Sequence, residues 1–135
     1  MKIIIGAHGR LGRELINSAK MIFGTLEDVS NVSLLPGMSF EDFKRDAESI
    51  LKSVEDDQIL VLTDLFGGTP CNVFSALSRQ YGCSVVSGVN LPMLIELYAS
   101  VSSGRDDRTA GELAEYALSV LRESGVHTNR VLASS

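Results

Sequence analysis

Lys2-Ile3-Ile4-Ile5-Gly6-Ala7-His8-Gly9-Arg10-Leu11-Gly12 sets the two halves of an α/β unit end to end. The three consecutive isoleucines are β-branched, bounded by glycine and not interleaved with polar residues, which marks a strand over residues 2–5 buried on both faces. Glycines then turn the chain, and Leu11, Leu15, Ala19, Ile22 and Phe23 recur at helical spacing, with Gly24 placed to end the helix.

The same rhythm continues along the chain. Short runs rich in Ile, Val and Leu at 31–35, 59–63 and 83–89 read as further strands. Ser39 opens an S-x-x-D capping box with Asp42, ahead of an apolar stripe of Phe43, Ala47, Ile50, Leu51 and Val54. Thr69-Pro70 sets an N-cap hydroxyl before a proline at the first helical position, leading to Val73, Phe74 and Leu77. A short helix is expected over 91–100. Thr109 with Glu112 forms a second capping box before Leu113, Ala117, Val120 and Leu121, closed by Gly125.

Strands alternating with helices imply parallel pairing through right-handed crossovers, hence an open α/β sheet with helices on both faces. With 135 residues, no repeat and no linker, one domain over 1–135 is expected, and a 44% hydrophobic content fills its core without disulfides or metal. Twelve Lys+Arg against 17 Asp+Glu give a net charge of −5 with the basic residues scattered, which argues against nucleic acid. No apolar run approaches the ~20 residues that cross a bilayer, and no signal core precedes Arg10 and Arg13. A cytoplasmic protein follows. Cys71 and Cys83 belong to no ligand cluster and read as reduced, buried thiols.

Ligands of such sheets sit beyond the carboxyl ends of the strands, where chain direction switches. The loops there are 6–12, 36–37, 64–69 and 88–92. Loop 6–12 opens a helix whose N-terminal amides favour an anion, and its G-x-x-G-x-x-G pattern loosely matches a dinucleotide loop. No acidic residue closes the second strand to hold a ribose, however, because Leu34-Leu35-Pro36-Gly37 stands there. With the usual strand order 2-1-3-4, His8 and Asp64 face one another across the switch. A carboxylate accepting the Nδ1 proton of His8 leaves Nε2 bare for attack on phosphorus and stabilises the positive ring that forms. Gly67-Gly68-Thr69-Pro70 brings a second helix N-terminus toward the same anion, so Gly9, Gly67, Gly68 and Thr69 are candidate phosphate ligands. This chemistry calls for no metal and no cofactor if the donor is a reactive phosphoramidate.

Three segments carry a family resemblance: Ile5-Gly6-Ala7-His8-Gly9, Thr63-Asp64-Leu65-Phe66-Gly67-Gly68-Thr69-Pro70, and Gly88-Val89-Asn90-Leu91-Pro92-Met93-Leu94. In this order they resemble the IIA component of the mannose-type (mannose/fructose/sorbose) bacterial phosphotransferase system. That resemblance implies a phosphotransferase working through phosphohistidine, with His8 as phosphoryl acceptor, Asp64 as its orienting aspartate and Thr69 as a phosphoryl-binding hydroxyl. It implies the phosphocarrier protein HPr as donor and a IIB component as acceptor, feeding sugar uptake through membrane IIC/IID components. It also implies a homodimer exchanging a fifth, antiparallel strand, for which residues 126–132 are the candidate. Leu11, Phe66 and Leu91 are the expected docking residues. The domain is expected to stand free, unless it is cut from a longer IIAB protein or from a transcriptional regulator carrying such a domain.

Two other readings compete. One is a small nucleotide-binding module using loop 6–12. The other is a sensor phosphorylated on Asp64, disfavoured because the first strand ends without the paired acids that hold Mg²⁺. Arg10 and the loop 105–108 read as solvated, and His127 as a surface or interface residue.

Overall fold

The computed structural model of the chain describes residues 1–134. Four strands, β1 (Lys2–His8), β2 (Val29–Leu34), β3 (Ile59–Thr63) and β4 (Ser84–Ser87), form one all-parallel sheet in the order β2-β1-β3-β4. The helices are α1 (Leu11–Phe23), α2 (Phe40–Ser53), α3 (Thr69–Tyr81), α4 (Leu91–Ser102), α5 (Ala110–Ser124) and α6 (Thr128–Ala133).

The period-2 alternation of a strand distributes the isoleucines of β1 between two cores. Ile3 and Ile5, with Leu60 and Leu62, face Ala19 of α1, Met93, Leu94 and Leu97 of α4, and Leu113 and Ala117 of α5. Ile4, with Val61, faces Phe43, Ala47 and Leu51 of α2 and Val73, Phe74 and Leu77 of α3. All of β3 is buried, which is why its sequence shows no polar alternation. Both capping boxes form: Ser39 Oγ accepts from Asp42 N–H and Thr109 Oγ1 from Glu112 N–H, each acid answering the cap residue's own N–H.

Several expectations are corrected. β1 runs through His8 instead of stopping at Ile5, because Gly6, Ala7 and His8 still pair with Val32, Ser33 and Leu34 of the longer neighbour β2. A glycine inside the strand is required by packing: a Cβ on Gly6 would stand 2.6 Å from Cε2 of Phe74. Ile22 and Leu11 lie at the exposed ends of the α1 stripe. Cys71 is buried, but Cys83 is only half-buried; both are free thiols.

The largest departure is at the C-terminus. Residues 126–132, expected as the exchanged strand, overlap the short exposed helix α6. Backbone bonds close locally there, with Arg130 N–H and Val131 N–H donating to His127 carbonyl oxygen and Ser134 N–H to that of Arg130. A single turn of helix closes these bonds without a neighbouring strand, which an exchanged strand would have to borrow from a partner.

Candidate active site

β1 and β3 are neighbours, and their carboxyl ends deliver His8 and Asp64 to one place. His8 is the last residue of β1; Asp64 follows directly on β3. One oxygen of Asp64 takes both His8 donors. Oδ2 accepts the His8 backbone N–H at 3.0 Å and lies 2.8 Å from His8 Nδ1. A carboxylate oxygen accepts and does not donate, so the contact calls for a proton on Nδ1, and in the neutral ring the lone pair is then on Nε2. The imidazole is 45% exposed while the Asp64 side chain is 11% exposed. The ring is thus open to solvent while the carboxylate that holds it is sheltered.

Asp64 Oδ1 is buried and without a hydrogen-bond partner among the described residues. The end of β3 is fixed by Thr63, fully buried, whose hydroxyl donates to the Val86 carbonyl oxygen at 3.1 Å while its own carbonyl oxygen accepts from Val89 N–H at 2.9 Å. Thr63 is therefore a support for Asp64 that sequence reasoning passed over. A Thr closing an otherwise apolar strand, one position before the acid, was its only signal.

After Asp64 the chain folds into a turn in which Gly68 N–H donates to Leu65 carbonyl oxygen at 3.0 Å. Gly67, at the third position of that turn, has φ +83°, a conformation that glycine adopts freely. Asn72 Nδ2 ties the turn to α3 by donating to the Gly67 carbonyl oxygen at 3.0 Å. Gly68, not Thr69, is the N-cap of α3, and no side chain caps that helix; Thr69 and Pro70 occupy its first two positions. The Thr69 hydroxyl is accordingly not engaged as a cap, contrary to the expectation from Thr69-Pro70.

The four candidate phosphate ligands divide. The N–H groups of Gly9 and Gly68 are already engaged, donating to the carbonyl oxygens of Leu34 (2.8 Å) and Leu65. Thr69 and Cys71, in the first turn of α3, lack intrahelical partners for their N–H groups, as helix geometry dictates. The three glycines of loop 6–12 also separate in role. Only Gly9 has a positive φ, +58°, whereas Gly12 lies in α1, where a Cβ would stand 2.2 Å from Asn31 Oδ1. Packing and a single turn thus account for a pattern that loosely suggested a dinucleotide loop.

Several apolar side chains are exposed in the loops and helix starts that follow the strands. Phe66 is 86% exposed and Leu65 and Leu11 are also open, joined by Leu35 and Phe40, which sequence reasoning did not single out. Leu91 does not belong with them: it is partly buried and packs on the core beneath α4. Arg10 is exposed and makes no ion pair among the described residues. No three His, Cys, Asp or Glu side chains among the described residues group as metal ligands, and no described helix is long and apolar enough to cross a membrane.

A family model described as "PTS system fructose IIA component" matches residues 2–118. The chain belongs to the mannose-type IIA family of the phosphotransferase system. The IIA relatives include the mannose-specific EIIAB component of Escherichia coli K12, 31% identical over 125 residues that make up 90% of this chain and 37% of that protein. The chain thus spans little more than a third of that relative. The fructose-specific EIIA component of Bacillus subtilis 168 is 31% identical over 99 residues, 72% of this chain and 68% of that one. Among solved structures, the phosphotransferase EIIA of Streptococcus agalactiae superimposes with a TM-score of 0.85 at 35% identity, covering 96% of this chain and 98% of that IIA.

Proposed function

We propose that this IIA protein is a phosphoryl carrier: Nε2 of His8 accepts a phosphoryl group from phosphorylated HPr and passes it to a IIB component, coupling the chain to sugar uptake. The observation that supports the reading is the 2.8 Å contact between His8 Nδ1 and Asp64 Oδ2, because in the neutral ring a carboxylate there favours the proton on the inner nitrogen and the lone pair on the outer one.

In the transfer, the Nε2 lone pair forms a new N–P bond as the donor's N–P bond breaks and its electron pair returns to the donor. The proton on Nδ1 stays in place, and Asp64 stabilises the positive charge that the ring acquires. The incoming phosphoryl oxygens meet the hydroxyl of Thr69 and the free first-turn amides of α3, at the positive end of that helix. Phosphoryl transfer is mostly positioning and charge stabilisation, which a preformed site of this kind supplies. The apolar rim, Phe66 foremost, serves for transient docking of the donor and acceptor proteins.

Phosphorylated HPr is mixed with the chain and the intact mass is measured. One added phosphoryl group, stable to base and absent from His8→Ala, is the expected result. No adduct on the wild-type chain, or one that persists in His8→Ala, overturns the reading. We also propose a homodimer working in the cytoplasm, supported by the exposed Val126 and Val131 of the C-terminal segment and tested by sedimentation of the full chain.

A further inference from the structure

Two of the site's glycines are explained by their backbone and one is not. Gly9 and Gly67 have φ of +58° and +83°, and a Cβ on either would meet nothing within 4 Å. Gly68 is the reverse. Its φ of −76° and ψ of 164° are extended backbone that any residue adopts. Yet a Cβ there would stand 2.8 Å from Cε1 of His8, 3.6 Å from its Nε2 and 3.3 Å from the Leu65 carbonyl oxygen. Real Cβ atoms essentially never approach another heavy atom so closely as 2.8 Å. Its N–H donates to Leu65 and its carbonyl oxygen accepts from Asn72 N–H at 2.9 Å, so its backbone is engaged in closing the turn and starting α3.

We infer that Gly68 is a positioning residue whose missing side chain makes the slot for the His8 imidazole, rather than a ligand of the phosphoryl group. Cε1 lies between the two ring nitrogens, so the contact sits between the atom that Asp64 holds and the atom that reacts. Asp64 draws the ring inward at Nδ1, and the bare α-carbon of Gly68 leaves room for the adjoining Cε1–Nε2 edge. The hydrogen-bonded turn Leu65–Gly68, tied down by Asn72, keeps that α-carbon from retreating. A methyl group at 68 therefore displaces the ring from Asp64, and the tautomer with Nδ1 protonated loses its anchor. The kinetic half of this inference rests on the carrier reading; the steric half does not.

The test is Gly68→Ala in two backgrounds, wild-type and His8→Ala, followed by melting, by ¹⁵N NMR of the His8 ring and by phosphoryl transfer from phosphorylated HPr. The expected results are a melting temperature lowered by Gly68→Ala only when residue 8 is His, a His8 signal moved from the Nδ1–H toward the Nε2–H tautomer, and a transfer rate reduced by roughly tenfold to a hundredfold. An equal melting loss in both backgrounds overturns the inference, and so does an unaltered ring signal with an unaltered rate. If Gly68→Ala fails to fold with His8 present but folds in His8→Ala, the steric slot is supported; failure in both overturns it. A wild-type chain that accepts no phosphoryl group sinks the carrier reading alone, since the melting cycle and the ring signal still decide on Gly68.

Discussion

Asp64 Oδ2 binds His8 twice, through the backbone N–H and through Nδ1, so the position of the strand end and the orientation of the ring depend on the same atom. Replacing Asp64 by Asn keeps an acceptor of similar shape but removes the charge and offers an amide that stabilises the wrong tautomer. Asp64→Asn should slow phosphoryl transfer by roughly a hundredfold or more, by comparison with other aspartates that orient a catalytic histidine. Rapid-quench measurement of the adduct from phosphorylated HPr checks this, with circular dichroism showing a retained fold. An unchanged rate removes Asp64 from its assigned role.

Phe66 is almost wholly exposed on the turn beside the site. Phe66→Ser should leave the melting temperature nearly unchanged, as exposed substitutions alter stability by about 0.5 kcal/mol or less. It should raise the HPr concentration needed for half-maximal transfer by about tenfold, the equivalent of about 1.4 kcal/mol of lost apolar contact. Saturation curves for the two proteins separate this from a chemical defect, which would lower the plateau instead.

Gly6 and Phe74 lie in contact across the sheet and α3, and the Phe74 ring is itself edge-on to Phe43 at 6.0 Å between centroids. Gly6→Ala overpacks this region and should cost about 1–3 kcal/mol in urea unfolding. Combining it with Phe74→Leu should recover part of the loss, because the smaller side chain vacates the space that the new methyl group needs. Strictly additive losses would show that the contact is not the cause.

Arg108 holds Asp106 through a forked set of hydrogen bonds and lowers its carboxyl to about 2 from an ordinary 3.8. A carboxylate depressed in the folded state contributes stability that is complete above its unfolded value and lost as pH falls through its folded one. Asp42, lowered by the Ser39 backbone N–H, and Asp56, lowered by the N-terminal ammonium group, act in the same direction. The melting temperature should therefore fall as pH drops from about 4 to about 2, and Asp106→Asn should make that fall shallower. Identical slopes for the two proteins would rule out the Asp106–Arg108 contribution.

Much of this architecture is legible in the residues. The continuous apolar run 59–63 names a strand buried on both faces, and S-x-x-D and T-x-x-E mark the starts of α2 and α5 because capping is a local bond. His8 and Asp64 come together by topology alone, since the usual doubly-wound order β2-β1-β3-β4 makes the ends of β1 and β3 neighbours. What was not legible depends on partners chosen in three dimensions. The amides of Gly9 and Gly68 look free in a glycine-rich loop, but their acceptors, Leu34 and Leu65, are set by how the strand ends and the turn close. Thr69 fits an N-cap pattern, yet the turn places Gly68 there. Leu91 looks like an exposed residue after a loop and is instead drawn onto the core by α4. Residues 126–132 have strand-like content, and whether such a segment forms a strand depends on an edge being presented to it.

The His8 ring and the carboxylate that holds it are 56 residues apart, joined only because β1 lies against β3. A nascent chain that has emerged as far as α2 already displays its histidine but possesses nothing to govern that ring. On the carrier proposal, the ring therefore gains its carboxylate only once the sheet has assembled, and capture of phosphate reports on a finished fold.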